Sequence, residues 1–312
     1  MHVDDFICGG NSTFENSTVK REQFEVREQN SKIFKYVGMS VVQNDSGINI
    51  HQNEFCENLR PIEVGKERKY DKNVACNDKE REQYRSLVGQ LGWLSTNSRP
   101  DLSYDVLELS CKVNNPTIGD IFEANKCLKR ASLFKSVMRF PNCHDLNKCK
   151  LVVFSDASHS NLPDGVSSAG GFIIFLVDSE SNCCPLFWES RKIRRVVKST
   201  LAAETLAAAD AIDSAYYIRD IISQIVSDTK IKLSIELYVD NKSLFDNVYS
   251  VKNVSEKRLR IDIAIIKELI SHERLNVKWV ETKSQIADVL TKEGVNRCKL
   301  SKILEQEKID LN

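Results

Sequence analysis

Hydrophobic and polar positions change rhythm twice along this chain. Residues 11–33 are polar and charge-rich, with scattered apolar positions. KIFKYVGMSVVQNDSGINI, residues 32–50, then alternates loosely about NDSG and predicts a hairpin closed by a tight turn. Residues 60–83 carry little periodicity and read as an exposed connector. Three helical stretches follow. Leu87, Leu91 and Leu94 fall at helical spacing after Tyr84, a second stretch starts at the Arg99–Pro100–Asp101 break, and a third runs through DIFEANKCLKRASLFKSV after the turn NNPTIGD. The polar, proline-containing segment FPNCHDLNKCK, residues 140–150, marks a domain boundary.

The second half reads differently. LVVFSDAS (151–158), GGFIIFLVD (170–178) and LFWES (186–190) are predicted strands. STLAAETLAAADAIDSAYYIRDIISQIV (199–226) is one long alanine-rich helix, with Ser199 or Thr200 as its cap. IELYVD (235–240) is a further strand, Leu259, Ile263, Ile266 and Ile270 form a helical stripe, LNVKWV (275–280) is a strand, and the chain closes in helix. Three strands and a helix, then strand, helix, strand and helix, predict an α/β fold: a mixed sheet with helices packed on it.

Composition narrows the function classes. With 312 residues, 41% hydrophobic and 28% charged, the chain is globular and long enough for one large domain or two ordinary ones. No apolar run approaches a membrane span, so no membrane partner is expected. The formal net charge is zero, and any nucleic-acid binding must therefore rest on local patches. Ten cysteines and no recognisable secretory signal predict reduced, mostly structural thiols in an intracellular setting. Cys143 and Cys149 flank His144, but no second ligand pair at finger-like spacing follows, and they read as ordinary cysteines.

Four carboxylates of the second half fall at informative places. Asp156 ends an apolar strand, Glu204 lies in the first turns of the long helix, Asp240 ends IELYVD, and Asp288 sits in SQIADVLTK near the start of the final helix. Taken singly, a strand-end aspartate is often a turn former, and an acid in a first helical turn often serves the helix dipole. Taken together, these ends can converge at one sheet edge, where like charges are costly unless cations neutralise them. Oxygen ligands favour Mg²⁺ or Mn²⁺ over zinc.

The runs VVFSDAS, SSAGGFIIFL, LFWESRKIRRVVKSTLAAETLAAADAIDSAYYIRDII, LYVDNKSL and WVETKSQIADVLTK resemble, in order and spacing, the ribonuclease H domain of copia-type retrotransposon polyproteins. The resemblance implies a ribonuclease H fold over residues 150–300 and cleavage of the RNA strand of an RNA–DNA hybrid with divalent ions. It assigns catalysis and metal binding to Asp156, Glu204, Asp240 and Asp288. Two Mg²⁺ ions, or Mn²⁺ in their place, would activate a water and relieve charge on the leaving 3′ oxygen. Asp156 would bridge them, with Glu204 and Asp240 serving one ion and Asp288, on a mobile final segment, the other. Other products of a retroelement polyprotein are the further partners it implies.

The same family accounts for the first residues. His2-Val3-Asp4-Asp5 resembles the metal-binding hairpin of a reverse-transcriptase palm, and FKYVGMSV the strand region after it. Residues 1–60 then read as a truncated palm remnant and 61–83 as a connector. Residues 84–140 resemble the connection between polymerase and nuclease. The fingers and the palm strand with a third aspartate are not in this sequence. Asp4 and Asp5 are accordingly expected to be a vestigial polymerase pair, without primer extension.

Between the third strand and the long helix lies SRKIRRVVKS. Its cations Arg191, Lys192, Arg194, Arg195 and Lys198 form either a solvated loop or a contact to the phosphate backbone of the hybrid. The sequence departs from the family at KRLRIDI, where Arg260 stands in place of a histidine common in the group. The alternative to a nuclease is therefore an inactive retroelement remnant that binds nucleic acid or protein.

Overall fold

The computed structural model describes residues 32–143, 145–226, 233–252, 254, 256–272 and 274–311. In the first half, strands β1 (Ile33–Tyr36), β2 (Met39–Asn44), β3 (Gly47–His51) and β4 (Met138–Pro141) form an antiparallel sheet in that order. The expected hairpin turns at Asn44–Gly47, where Asn44 Oδ1 accepts from the Ser46 and Gly47 amides at 3.0 and 3.1 Å. Gly47 has φ +147°, and a Cβ there would lie 2.1 Å from the Phe140 carbonyl oxygen on β4. The turn thus needs glycine both for its dihedral and for the strand beside it. Strand β4 falls at the proposed boundary, too short and too polar around its proline to read as a strand.

Helices α1 (Asn53–Asn58), α2 (Asp78–Asn97), α3 (Ser103–Cys111) and α4 (Ile118–Leu133) make the helical layer. Capping boxes start α2 at Asn77 with Glu80 and α4 at Thr117 with Asp120, each satisfying amides that the first helical turn leaves free. Tyr84, Leu87, Leu91, Leu94, Ile118 and Ile121 pack in its core. The stretch before α2 is not exposed throughout. Ile62, Val64 and Cys76 join the same core, and Asn125 clamps the Ile62 backbone through bonds of 2.8 and 2.9 Å. Two apolar residues spaced by two suffice to strap an irregular segment across helices, a pattern too short to register as periodicity.

The second half contains β5 (Lys150–Ser158), β6 (Ala169–Val177), β7 (Cys183–Lys192), β8 (Ser234–Val239) and β9 (Asn276–Trp279), with α5 (Thr200–Val226), α6 (Lys242–Tyr249), α7 (Arg260–Ser271) and α8 (Cys298–Gln306). The sheet order is β7-β6-β5-β8-β9; β7, β6 and β5 are antiparallel, while β8 and β9 run parallel to β5. This is the mixed sheet with packed helices expected from the pattern. Leu151 and Val153 pack with Ala208, Ala211, Ile212 and Ala215 of α5 on one face. Val152 and Phe154 pack with Val289, Leu290, Leu300 and Ile303 on the other. Both faces of β5 are covered, which is why its apolar run does not alternate. Helix α6 was not anticipated: it is a short helix started by the Asn241 side chain, which accepts from the Leu244 amide at 2.9 Å.

The two halves meet through both apolar and polar contacts. The Trp188 indole on β7 donates to the Ser95 carbonyl at 2.7 Å, and Asp105 of α3 is held by Arg130 and by Arg297, the latter at 2.8 Å. Among the described residues no helix is long and apolar enough to cross a membrane.

Candidate active site

Parallel pairing of β5 with β8 brings two carboxylates to one edge. Phe154 pairs with Tyr238, and Asp156 and Asp240 each follow two residues later. Small residues let α5 lie close on the sheet: Ala203, Ala207 and Ala211 are buried, and its first turns carry Glu204 to the same edge. Asp156, Glu204 and Asp240 each offer an oxygen, and these oxygens lie within 4.8 Å of one another. Asp156 and Glu204 are buried, while Asp240 is half-buried.

Asp288 stands apart from this trio. It lies in a single 3-10 turn, Ala287–Leu290, and is buried against the sheet rather than carried on a loose final segment or on helix α8. Its link to Asp156 runs through Lys292, whose Nζ contacts Asp288 Oδ1 and lies 3.3 Å from Asp156 Oδ1. Thr291 Oγ1 donates to the other oxygen of Asp156. The segment is held by its neighbours. Gln285 Nε2 donates to the Ser155 carbonyl at 2.9 Å, Ser190 Oγ to the Leu290 carbonyl at 2.6 Å, and Asn161 Nδ2 to the Thr291 carbonyl at 2.9 Å. The same Asn161 amide reaches the Tyr104 hydroxyl of α3 at 3.0 Å, so the helical layer touches the brace.

Gly171, paired with Asp156 across β5 and β6, makes room for this segment. A Cβ there would meet Leu290 Cβ at 2.6 Å and Thr291 Cγ2 at 2.9 Å. The glycine is required by close approach, a role that a turn alone would not impose.

Burial pushes the Asp156 carboxyl up to about 7; Lys292 and Thr291 oppose the rise, and Asp288 and Asp240 add to it. Glu204 is pushed well above the usual carboxylate range by burial, then by Asp156 and Asp240. Burial alone would lower the Lys292 ammonium, but the two aspartates outweigh it and hold it above its ordinary range. Glu204 Oε2 is buried with no hydrogen-bond partner. Among the described residues no basic side chain forms an ion pair with Glu204 or Asp240. A hard divalent cation fits this site: it would take oxygens from all three groups, satisfy the orphaned one and offset their mutual repulsion.

The basic run is largely self-neutralised. Arg191 pairs with Asp210 and lies 3.5 Å from Glu189, Lys192 is 2.8 Å from Asp164, and Arg195 is 3.5 Å from Asp262. Arg194 and Lys198 are exposed, with no ion pair among the described residues. Arg260 donates to the Val254 carbonyl at 2.9 Å. Asp4, Asp5 and His144 lie outside the described residues. Sequence reasoning passed over Thr291, Lys292 and Asn161, and left Gly171 open between a close approach and a turn. A signal for Lys292 was present, because it follows Asp288 at the i,i+4 spacing of an ion pair.

No protein-family model matches the chain. It is 25% identical over 312 residues to the retrovirus-related Pol polyprotein from transposon RE1 of Arabidopsis thaliana, covering 94% of this chain and 20% of that protein. It is 25% identical over 281 residues to the transposon Ty1-NL2 Gag-Pol polyprotein of Saccharomyces cerevisiae, covering 86% of this chain and 15% of that one. The chain thus spans about a fifth or less of the length of these curated relatives. Among solved structures it is similar to ribonuclease H1 of Halobacterium salinarum, with TM-score 0.35 and 17% identity over 46% of this chain and 94% of that one. The chain is distantly similar to retrotransposon Pol polyproteins.

Proposed function

We propose that this chain is the nuclease region of a copia-type retrotransposon polyprotein and hydrolyses the RNA strand of RNA–DNA hybrids with Mg²⁺ or Mn²⁺. One observation carries the reading: three carboxylates from β5, α5 and the end of β8 converge at one edge, and one buried oxygen among them has no protein partner. Nothing in a purely structural cluster would keep that oxygen unsatisfied, because an unpaired buried carboxylate oxygen costs stability. The resemblance of the five sequence runs supports the substrate class.

Asp156, Glu204 and Asp240 would hold a divalent ion at this edge, and it would supply Lewis acidity and an activated water for attack on phosphorus. The chain's own groups do the rest. Glu204 and Asp240 fix the side of the site facing the long helix. Thr291 and Lys292 orient the Asp156 carboxylate, and Asp288 anchors Lys292. Selection of RNA in the cut strand rests on contacts to 2′-hydroxyls across the minor groove. Arg194 and Lys198, exposed beside the N-terminus of α5, are the cations of the basic run free to meet phosphates.

The test is cleavage of an end-labelled RNA–DNA hybrid by the full chain and by Asp156→Asn. Cutting that needs Mg²⁺ or Mn²⁺, spares duplex DNA and vanishes in the variant is expected. A folded wild type that binds hybrid and leaves it intact would replace the nuclease with the inactive remnant, and equal cutting by the variant would move the site elsewhere.

A further inference from the structure

Asp156 receives a cation that Glu204 and Asp240, the other two of the trio, do not. The Lys292 ammonium lies 3.3 Å from Asp156 Oδ1 and in contact with Asp288 Oδ1, while Glu204 and Asp240 form no ion pair among the described residues. Positive charge is therefore already supplied on one side of Asp156, toward Asp288, and not on the other. The backbone sets this position. The Thr291 and Lys292 amides both donate to the Asp288 carbonyl, at 3.1 and 3.0 Å, folding the segment so that the lysine stem returns over the aspartate. Gly171 admits that segment against β6, and Thr291 takes the second oxygen of Asp156. Lys292 is 33% exposed, so its ammonium has a path to solvent along a flexible four-carbon stem.

We propose that the Lys292 ammonium is a cation built into the site: it occupies the place between Asp156 and Asp288 that a second divalent ion would take, and that ion binds only by displacing it. The inference deepens the proposed function and rests on its trio binding the first ion. The Lys292 ammonium and a divalent ion cannot both fill the space between Asp156 and Asp288, where their charges would repel. Lys292 is on this account a positioning residue that sets the order and affinity of metal binding. In its resting form the chain holds one ion at Asp156, Glu204 and Asp240, with the lysine completing the charge.

The experiment is calorimetric titration of the full chain with Mn²⁺ alone, at fixed pH. It compares wild type with Lys292→Met, which removes the charge, and with Lys292→Arg, which keeps it. Thermal melting in EDTA confirms that each variant is folded. Wild type is expected to bind one Mn²⁺, with any second event at least about tenfold weaker, and Lys292→Met to tighten the second event by about tenfold or more. Lys292→Arg is expected to follow wild type, and adding Asp288→Asn to Lys292→Met to abolish the gained event. A structural role for the lysine would lower stability without creating a second ion. A folded Lys292→Met with wild-type stoichiometry and affinities overturns the inference, as does a wild type that binds two ions equally well. If the wild type binds one ion and cuts hybrid, that failure leaves the proposed function standing. Absence of Mn²⁺ binding by both wild type and Lys292→Met overturns both.

Discussion

In the helical layer, Asp105 lies between two guanidiniums, Arg130 from α4 and Arg297 from just before α8. At the edge of the second sheet, Glu204 lies among carboxylates, with one buried oxygen unsatisfied. Both acids are largely removed from water, and burial raises the carboxyl of each. At Asp105 the two arginines pull against that rise, whereas at Glu204 Asp156 and Asp240 add to it. The first arrangement closes a joint between the two halves of the chain. The second is unfavourable as it stands and becomes favourable on gaining positive charge. Burial of an acid is thus no sign of function by itself; the sign is burial without a partner.

Opposite responses to removing charge would break or sharpen this contrast. Asp105→Ala leaves two arginines facing each other in a partly buried joint and is expected to destabilise by about 3 kcal/mol, measured by urea denaturation. Glu204→Gln removes repulsion, so its melting temperature in EDTA is expected to equal or exceed that of wild type, while the rise on adding Mn²⁺ disappears. A large loss of stability for Glu204→Gln in EDTA would show that the trio is a structural cluster after all.

A second prediction concerns pH. The Asp156 carboxyl moves from an ordinary 3.8 to about 7 on folding. Between those values the folded chain keeps a proton that the unfolded chain has released, so this group stabilises the fold fully at low pH and loses that contribution as pH rises through about 7. In EDTA the melting temperature is expected to fall between about pH 4 and 7, with a shallower fall in Asp156→Asn. Mn²⁺ should restore stability most at the upper end, where its ligands are ionised. Identical slopes for the two proteins would remove Asp156 from the account.

The smallest effect is expected at the basic run. Because Arg195 already pairs with Asp262, neutralising Arg194 and Arg195 together should weaken hybrid binding modestly and reduce the slope of log affinity against log salt by about 1, rather than the 2 that two free cations would give. Filter binding across a salt series measures it, and an unchanged slope would make the run a solvated loop.

Much of the fold was legible because the second sheet is built from strands with strong local signals. The β5 run is apolar on both faces, α5 is long and alanine-rich, and the turn at Asn44–Gly47 carries its own dihedral requirement. What escaped was short or depended on distant partners. Helix α6 starts from one asparagine cap, β4 is a strand only because β3 is beside it, and Ile62 and Val64 are buried because they pack into the helical core, where Asn125 of α4 holds the Ile62 backbone. Asp156, Glu204, Asp240 and Asp288 were all singled out as one quartet, yet three come together and the fourth is reached through a lysine.

By itself the sequence determined which residue types could bind a hard cation and at which ends of which elements they would stand, since strand and helix periodicity fix where an element stops and which residue ends it. Tertiary structure decided how they were grouped. Parallel pairing of β8 with β5 set Asp240 level with Asp156, close packing of alanines on the sheet brought in Glu204, and the missing side chain at Gly171 admitted the segment that carries Thr291 and Lys292. Lys292 and Asp156 are separated by 136 positions in the chain. Their contact follows from packing, which no local pattern encodes, because the energy that places one beside the other comes from apolar surfaces neither residue belongs to.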